Sequence, residues 1–289
     1  MPALTPSGRA VYTPCGSILN EAPAKPRRQN PDGKTQVKRL RGVIFDYGNT
    51  LVRLDPSVRS ARTDYADVVA RPGAARLGAH LERSGVPGAA STPAFVERFL
   101  DIRERNRLLA ESTGFEIPAL DSLRETLVAL GLAAGEDADL ERALEEFFLA
   151  EVELMRPMPG AGELLELLRE RGIRLAMLSN ATSGRTIEDV IRRMGWSGWF
   201  DPLVVSADIG VRKPRAEAFR AVLGRLSLEP GEIAMVGDSL YHDIEGAQAL
   251  GLVTFHVTAI PNSFDAKAAG SVRPSHSVSS LQELIPLLS

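Results

Sequence analysis

The chain has 289 residues, 44% of them apolar and 25% charged, with a formal net charge of −3. Those proportions suit an ordinary globular protein, the balanced charge gives no ground for nucleic-acid binding, and no run of about 18 uncharged apolar residues is present to span a membrane. The single cysteine, Cys15, cannot close an internal disulfide, excludes a cysteine-based zinc site and fits a reducing, cytoplasmic location.

Residues 1–39 hold 7 basic and 2 acidic side chains, six of the 19 prolines and no long apolar periodicity, so they are expected to form a disordered tail without chemistry. They also lack the apolar stretch of a signal peptide. The run Gly42–Asp46 is short, β-branched and aromatic, and ends in an acid followed by glycine, which predicts a buried strand. From about 56 to 156 no strand signal occurs. Apolar residues recur there at helical spacing instead: Phe95, Phe99 and Ile102 after Thr92-Pro93, then Leu123, Leu127 and Leu130, then Leu140, Leu144, Phe147 and Val152. Pro56 and Pro157-Met158-Pro159 are candidate hinges at the two ends of this stretch.

Beyond it, strands are predicted at Ile173–Leu178, Leu203–Ser206, Ile233–Val236 and Val253–Val257. Helices are predicted at Gly160–Arg171, Thr186–Met194, Ala216–Leu226 and Asp243–Leu250. Strands alternating with helices of about ten residues imply a parallel sheet with helices on both faces. The expected fold is α/β: a Rossmann-like parallel sheet flanked by helices, formed by 40–55 and 157–289, with an inserted all-helical domain over 56–156.

Four polar clusters follow predicted strands, and ligands of open α/β sheets bind at the carboxyl ends of strands. Asp46-Tyr47-Gly48-Asn49-Thr50 places an aspartate at a strand end, fit to be a nucleophile or metal ligand, although an Asx turn would look the same. Ser179-Asn180 offers a hydroxyl and an amide for a phosphoryl oxygen, or merely a turn. Arg212-Lys213-Pro214 carries the one lysine between Lys38 and Lys267, in a chain with five lysines, and a lysine point charge suits developing phosphoryl charge. Gly237-Asp238-Ser239-Leu240-Tyr241-His242-Asp243 brackets one strand-to-helix turn with two aspartates. Their hard oxygens suit Mg²⁺, though helix capping also favours acids there.

These four motifs, in this order and with a helical insertion after the first, resemble the haloacid dehalogenase-like hydrolase superfamily in its subgroup with a helical cap. The resemblance implies that Asp46 is the nucleophile forming an aspartyl-phosphate, oriented by Thr50. It further implies that Ser179, with Asn180 beside it, binds the phosphoryl group and that Lys213 bridges nucleophile and phosphoryl. Mg²⁺ would be held by Asp46, the Gly48 carbonyl, Asp238 and Asp243, and the 56–156 cap would close over a small phosphorylated substrate. One departure stands out. The family's phosphatases usually carry an acid–base aspartate where this chain has Gly48, and general acid–base help is worth about 10²–10⁴-fold. His80 and His242 are candidate substitutes.

Phosphate monoester hydrolysis is the reading these residues favour. Haloacid dehalogenation would want a tyrosine two residues after the nucleophile, whereas Tyr47 is one after. Phosphonate cleavage would need a cap lysine, and Leu51–Arg212 contains none. A non-catalytic phospho-ligand or protein-binding domain would account for Gly48, but not for keeping Asp46, Lys213, Asp238 and Asp243 together. Arg53, Arg59 and Arg62 could meet an anionic substrate group or form a solvated face, and nothing requires a second subunit.

Overall fold

The structure is a computed structural model that describes residues 39–58, 65–89, 93–133, 135–268, 270 and 272–288. The expected tail lies outside the described residues except for Arg39, and so do Arg59 and Arg62.

Strand β1 (Gly42–Phe45) is buried at all four positions and is flanked by parallel partners, β4 (Arg174–Ser179) and β6 (Ile233–Gly237). A strand covered on both faces has no polar side, which is why it reads as an uninterrupted apolar run. With β5 (Leu203–Val205), β7 (Val253–Val257) and β8 (His276–Val278) the sheet runs β5-β4-β1-β6-β7-β8, all parallel. Alternate side chains of β1 face opposite layers. Val43 and Phe45 pack with Leu164 and Leu168 of α5 (Ala161–Glu170) and with Ile187 and Ile191 of α6 (Gly184–Arg193). Ile44 packs with Phe219, Val222 and Leu226 of α8 (Ala216–Leu226) and Ala247 of α9 (Gly246–Ala249). Two short helices, α7 (Ser206–Ile209) and α10 (Asp265–Ala268), follow β5 and β7.

Between β2 (Val52–Leu54) and β3 (Met155–Pro157) the described chain is helical: α1 (Arg71–Arg83) after a π-helical turn at Ala66–Ala70, α2 (Pro93–Thr113), α3 (Ala119–Ala129) and α4 (Asp137–Leu154). Their apolar stripes form a separate core around Leu77, Phe99, Leu123, Leu127, Leu140 and Phe147. Four features differ from the sequence expectation. β2 and β3 pair antiparallel where only a hinge and a helical stretch were expected, closing the entry and exit of the insertion into one ladder. At three residues each they are too short to display alternation. β8, with its exposed His276 and Ser277, is equally short. Helix α1 was hidden by Gly73 and Gly78, which lower helix propensity. Packing demands them: a Cβ at Gly73 would sit 2.4 Å from the Phe147 carbonyl oxygen of α4, and one at Gly78 would sit 2.7 Å from the Ala89 carbonyl oxygen. Finally, the helix expected at Asp243–Leu250 begins earlier, as a π-helical turn over Leu240–Glu245 that runs into α9. Among the described residues no helix is long and apolar enough to cross a membrane.

The Gly73 contact gives a stability test. A methyl placed against main chain cannot be relieved by a rotamer change, so Gly73→Ala is expected to cost about 1–3 kcal/mol, the range for overpacking. Gly224 lies exposed inside α8 with nothing near its Cβ position, and Gly224→Ala should stabilise by about 0.5–1 kcal/mol. Urea unfolding of the two variants should move the midpoint in opposite directions.

Candidate active site

The register of the sheet sets the site. Phe45 lies level with Met177 of β4 and Val236 of β6, so Asp46, Ser179 and Asp238 all emerge at the same carboxyl edge. The order reverses at β1, with β4 and β5 to one side and β6 to β8 to the other, and a crevice opens at such a switch point.

Asp46 continues the ladder beyond β1, donating its N–H to the Val236 carbonyl oxygen at 2.9 Å. The chain then turns back on itself. Leu51 and Val52 donate to the Tyr47 carbonyl oxygen, and Asn49 takes φ = 56°, a left-handed conformation that asparagine tolerates better than most residues. This turn returns the Thr50 hydroxyl to Asp46, where it donates to Oδ2 at 3.0 Å. The Lys213 ammonium, 2% exposed, donates to Asp46 Oδ1 and to Asp243 Oδ1, both at 2.7 Å. Asn180 fixes that lysine: its side-chain oxygen accepts from the Lys213 N–H at 2.8 Å and its amide donates to the Lys213 carbonyl at 3.0 Å. Both ends of the Asn180 amide are thus engaged by main chain, so its place is to position Lys213. Ser179 is buried at the end of β4.

Asp238 accepts from the Asn262 amide at 2.8 Å, and its carbonyl meets His256 Nε2 at 3.1 Å. Asp243 Oδ2 accepts from the Ser239 N–H at 3.0 Å. Gly237 makes room for Asp243: a Cβ there would lie 2.3 Å from Oδ2. Asp46, Asp238 and Asp243 are all buried and each offers an oxygen within 4.8 Å of the others. Burial, then the negative Asp46 and Asp243, pushes the Asp238 carboxyl up to about 8. Asp243 rises to about 6, chiefly by burial, with Lys213 pulling the other way and Asp46 adding to the rise. Burial disfavours the Lys213 ammonium, yet Asp243 and Asp46 together hold its pKa above the usual lysine value. Three hard carboxylates against one lysine leave negative charge uncompensated, and this donor set fits a divalent metal ion.

The helical segment reaches this edge through the loop between α2 and α3. Glu116 N–H donates to the Gly210 carbonyl and Arg212 N–H to the Gly114 carbonyl, each at 3.0 Å. The Glu116 carboxylate, with no exposed side-chain surface, accepts from Arg212 and Ser206. Glu111 at the end of α2 meets Lys267 at 2.8 Å, His242 Nε2 at 3.1 Å and Arg212 at 3.7 Å. A cleft of about 210 Å³ lies here, lined among others by Glu111, Gly114, Arg212, Lys213 and His242. His242 therefore borders the Lys213 wall of a cleft, with its pKa lowered by burial against the pull of Glu111. His80 instead pairs with Glu146 inside the helical segment, 3.6 Å away. Sequence reasoning missed Asn262, His256, Glu116 and Glu111. Each acts across 18 or more residues of chain, and no local pattern marks such a partner.

A family model for haloacid dehalogenase-like hydrolases matches residues 40–251, about three quarters of the chain, and the chain belongs to that family. Mouse haloacid dehalogenase-like hydrolase domain-containing protein 3 is 36% identical over 131 residues, 45% of this chain and 51% of that protein. Ribulose-1,5-bisphosphate 5-phosphatase of Halopiger xanaduensis is 33% identical over 149 residues, 50% of this chain and 62% of its own. Glyceraldehyde 3-phosphate phosphatase of Pyrococcus abyssi is 34% identical over 100 residues, 35% and 42% of the two chains. The chain thus spans about half the length of the curated relatives it matches. Among solved structures, a phosphatase of this family from Thermococcus onnurineus superposes with TM-score 0.54 at 20% identity, covering 86% of this chain and 98% of its own. A 2-haloacid dehalogenase from Pseudomonas syringae gives 0.56 at 23%, covering 86% and 97%. The structural likenesses establish the α/β fold, and the family model sets the chain among the haloacid dehalogenase-like hydrolases.

Two measurements probe the carboxylates. In metal-free protein their raised pKa values mean that stability is lost as pH climbs from the ordinary carboxylate range through about 6 and 8, because the buried charges then form unpaired. A divalent cation held by these carboxylates would remove that penalty and compete with the proton on Asp238. The thermal stabilisation given by 5–10 mM Mg²⁺ is expected to grow from about pH 6 to about pH 8, and a flat response would remove the metal site. Gly237→Ala displaces Asp243 without removing any carboxylate, and should weaken Mg²⁺ binding about 10–100-fold by titration calorimetry.

Proposed function

We propose that the chain is a magnesium-dependent phosphatase of small phosphorylated metabolites, working through an aspartyl-phosphate on Asp46. The observation that carries this reading is the Asp46 carboxylate, paired with Lys213 and set within 4.8 Å of two further buried carboxylates. That is what an anionic nucleophile needs in order to approach an anionic phosphoryl group. The phosphatase names of two relatives support the same reading.

Asp46 attacks phosphorus in line with the departing ester oxygen, and water then hydrolyses the acyl-phosphate. Thr50 orients the attacking carboxylate, and Lys213 offsets charge on both nucleophile and phosphoryl oxygen. The Ser179 hydroxyl donates to a second phosphoryl oxygen, and Asn180 keeps Lys213 in place. Asp46, Asp238, Asp243 and the Gly48 carbonyl would hold Mg²⁺, which supplies charge neutralisation when bound. The helical segment serves as a cap over 56–156, shielding the acyl-phosphate from bulk water on a core of 40–55 and 157–289. The single cysteine supports a cytoplasmic setting. Dehalogenation has less support, because a metal-free displacement gives the Asp238 carboxylate no task, whereas Asp243 would still hold Lys213.

Gly48 supplies no proton to the departing oxygen. A Cβ at that position would meet nothing within 4 Å, so an acid fits. Release of phosphate from p-nitrophenyl phosphate is expected to need Mg²⁺, to stop with EDTA and to fall to background in Asp46→Asn. Turnover that survives Asp46→Asn would end the proposal. Gly48→Asp should raise turnover of alkyl phosphates at least tenfold, within the range for general acid catalysis, and change p-nitrophenyl phosphate far less because that leaving group needs no proton.

A further inference from the structure

The loop that follows β7 takes no part in the hydrolytic chemistry above, yet its side chains reach the turn that carries two of the three carboxylates. Asn262 closes an Asx turn, its side-chain oxygen accepting from the Phe264 N–H at 2.9 Å. Such a turn uses the oxygen alone. The amide nitrogen of Asn262 donates elsewhere, to Asp238 Oδ2 at 2.8 Å. Three residues on, Asp265 Oδ1 accepts from the Leu240 N–H at 2.7 Å. Leu240 opens the π-helical turn on which Asp243 sits. The first N–H groups of a helical turn have no partner within it. Here the Ser239 hydroxyl takes that of His242 at 3.1 Å, and Asp265 takes that of Leu240 from outside.

The two segments also share apolar surface. Ile244, Ala268 and Val272 are buried together, with Leu240 and Tyr241 packed against them. The Phe264 ring meets His242 at 66°, centroids 4.7 Å apart. His256 of β7 donates from Nε2 to the Asp238 carbonyl oxygen at 3.1 Å and lies 3.5 Å from Asp265 Oδ2. At the far end Lys267 pairs with Glu111 of α2 at 2.8 Å, so the loop is anchored to the helical segment as well. Apolar packing explains why the loop stays on this turn. It does not explain a hydrogen bond to each end of the turn, one of them made to the Asp238 carboxylate itself. Asp238 directly follows β6, and its carboxylate, turning about two bonds, stands close to those of Asp46 and Asp243. Ligands of a small octahedral cation must be held to within about 0.5 Å, so such a side chain needs an outer contact to fix it.

We propose that the loop after β7 is a clamp on the Asp238–Asp243 turn, in which Asn262 and Asp265 are positioning residues for metal binding. Asn262 pins Asp238 Oδ2 and leaves the other oxygen to ligate. Asp265 fixes the start of the turn that delivers Asp243. The inference rests on the reading of Asp238 and Asp243 as Mg²⁺ ligands. Neither positioning residue touches metal or substrate, and both act through the main chain or a side chain of the turn. Outer contacts of this kind are worth about 10–100-fold in metal affinity.

Titration calorimetry of Mg²⁺ into the metal-free protein tests the clamp. Asn262→Ser keeps an oxygen able to close the turn on the Phe264 N–H but is too short to reach Asp238. It should weaken Mg²⁺ binding about 10–100-fold. Asp265→Ala leaves the Leu240 N–H open and should weaken binding by at least about fivefold, whereas Asp265→Asn retains an acceptor and should stay within about threefold of wild type. In turnover of p-nitrophenyl phosphate, the Mg²⁺ concentration giving half the maximal rate should rise in Asn262→Ser by the same factor as the calorimetric Kd. KM at saturating Mg²⁺ should shift less than about threefold, since the clamp does not touch substrate. A loop that only packs would lower the thermal midpoint of the metal-free protein and leave Mg²⁺ affinity as it was. Affinities within twofold of wild type in both Asn262→Ser and Asp265→Ala would overturn the clamp. Should Asn262→Ser fail to fold, the contrast between Asp265→Ala and Asp265→Asn decides alone. A wild type that binds no Mg²⁺ would instead take away the metal reading and the clamp with it.

Discussion

The Lys213 ammonium, held between Asp46 and Asp243 at 2.7 Å from each, is the contact on which the site depends. Burying a carboxylate is expensive unless charge and hydrogen bonds accompany it, and this edge of the sheet buries three. A single lysine can meet two of them. The third, Asp238, has the Asn262 amide as its side-chain hydrogen-bond donor among the described residues, and burial pushes its carboxyl up to about 8. Under the proposed function that imbalance has a use: a site short of positive charge would bind a divalent cation, and with it a phosphoryl group, more readily than a neutralised one would.

Much of the surrounding fold can be understood as support for that lysine. Asn180, two strands away from β6, holds its main chain at both ends. Arg212 precedes it and is tied to Glu116 from the helical segment, beside the antiparallel bridge of Phe115 and Val211. Lys213 therefore sits where the sheet, the loop before α8 and the helical insertion meet. The Glu116–Arg212 pair is buried on both sides, so breaking it by removing one partner would leave an uncompensated charge. The insertion is coupled to the site through this pair, not only through the β2–β3 ladder at its base.

The parts legible in the sequence were those whose signal is local. Five of the six sheet strands are buried on both faces or nearly so, and each was visible as an apolar run, four of them followed by a polar cluster. Helices with regular stripes, such as α2 and α4, were visible for the same reason. α1 was not, because the glycines that let it approach α4 and the Ala89 segment are also the residues that argue against a helix. β2, β3 and β8 were not, because three residues carry no period. In the site, Asp46, Lys213, Asp238 and Asp243 announced themselves by type and strand position. Asn262, His256 and Glu116 could not, since what gives them a role is a distant partner. Asn180 was legible as a polar residue at a strand end, but its engagement with the Lys213 main chain became visible only in three dimensions.

Gly48 is where sequence and structure together say more than either alone. It is not in the left-handed region, which its neighbour Asn49 occupies, and no atom crowds the place of its missing Cβ. Neither backbone conformation nor packing requires glycine there, so the absence of an acid is a chemical fact about this chain. Tyr47 is no replacement, because burial and its negative neighbours hold its proton too firmly for transfer to a departing oxygen. Asp46 has its Thr50 and Lys213 partners in place, as the proposed attack would require. In the proposed reaction, what Gly48 withholds would fall on departure of the ester oxygen and on activation of the water that follows. Under the proposed phosphatase reading, the leaving group would govern the rate more than the phosphoryl cradle does.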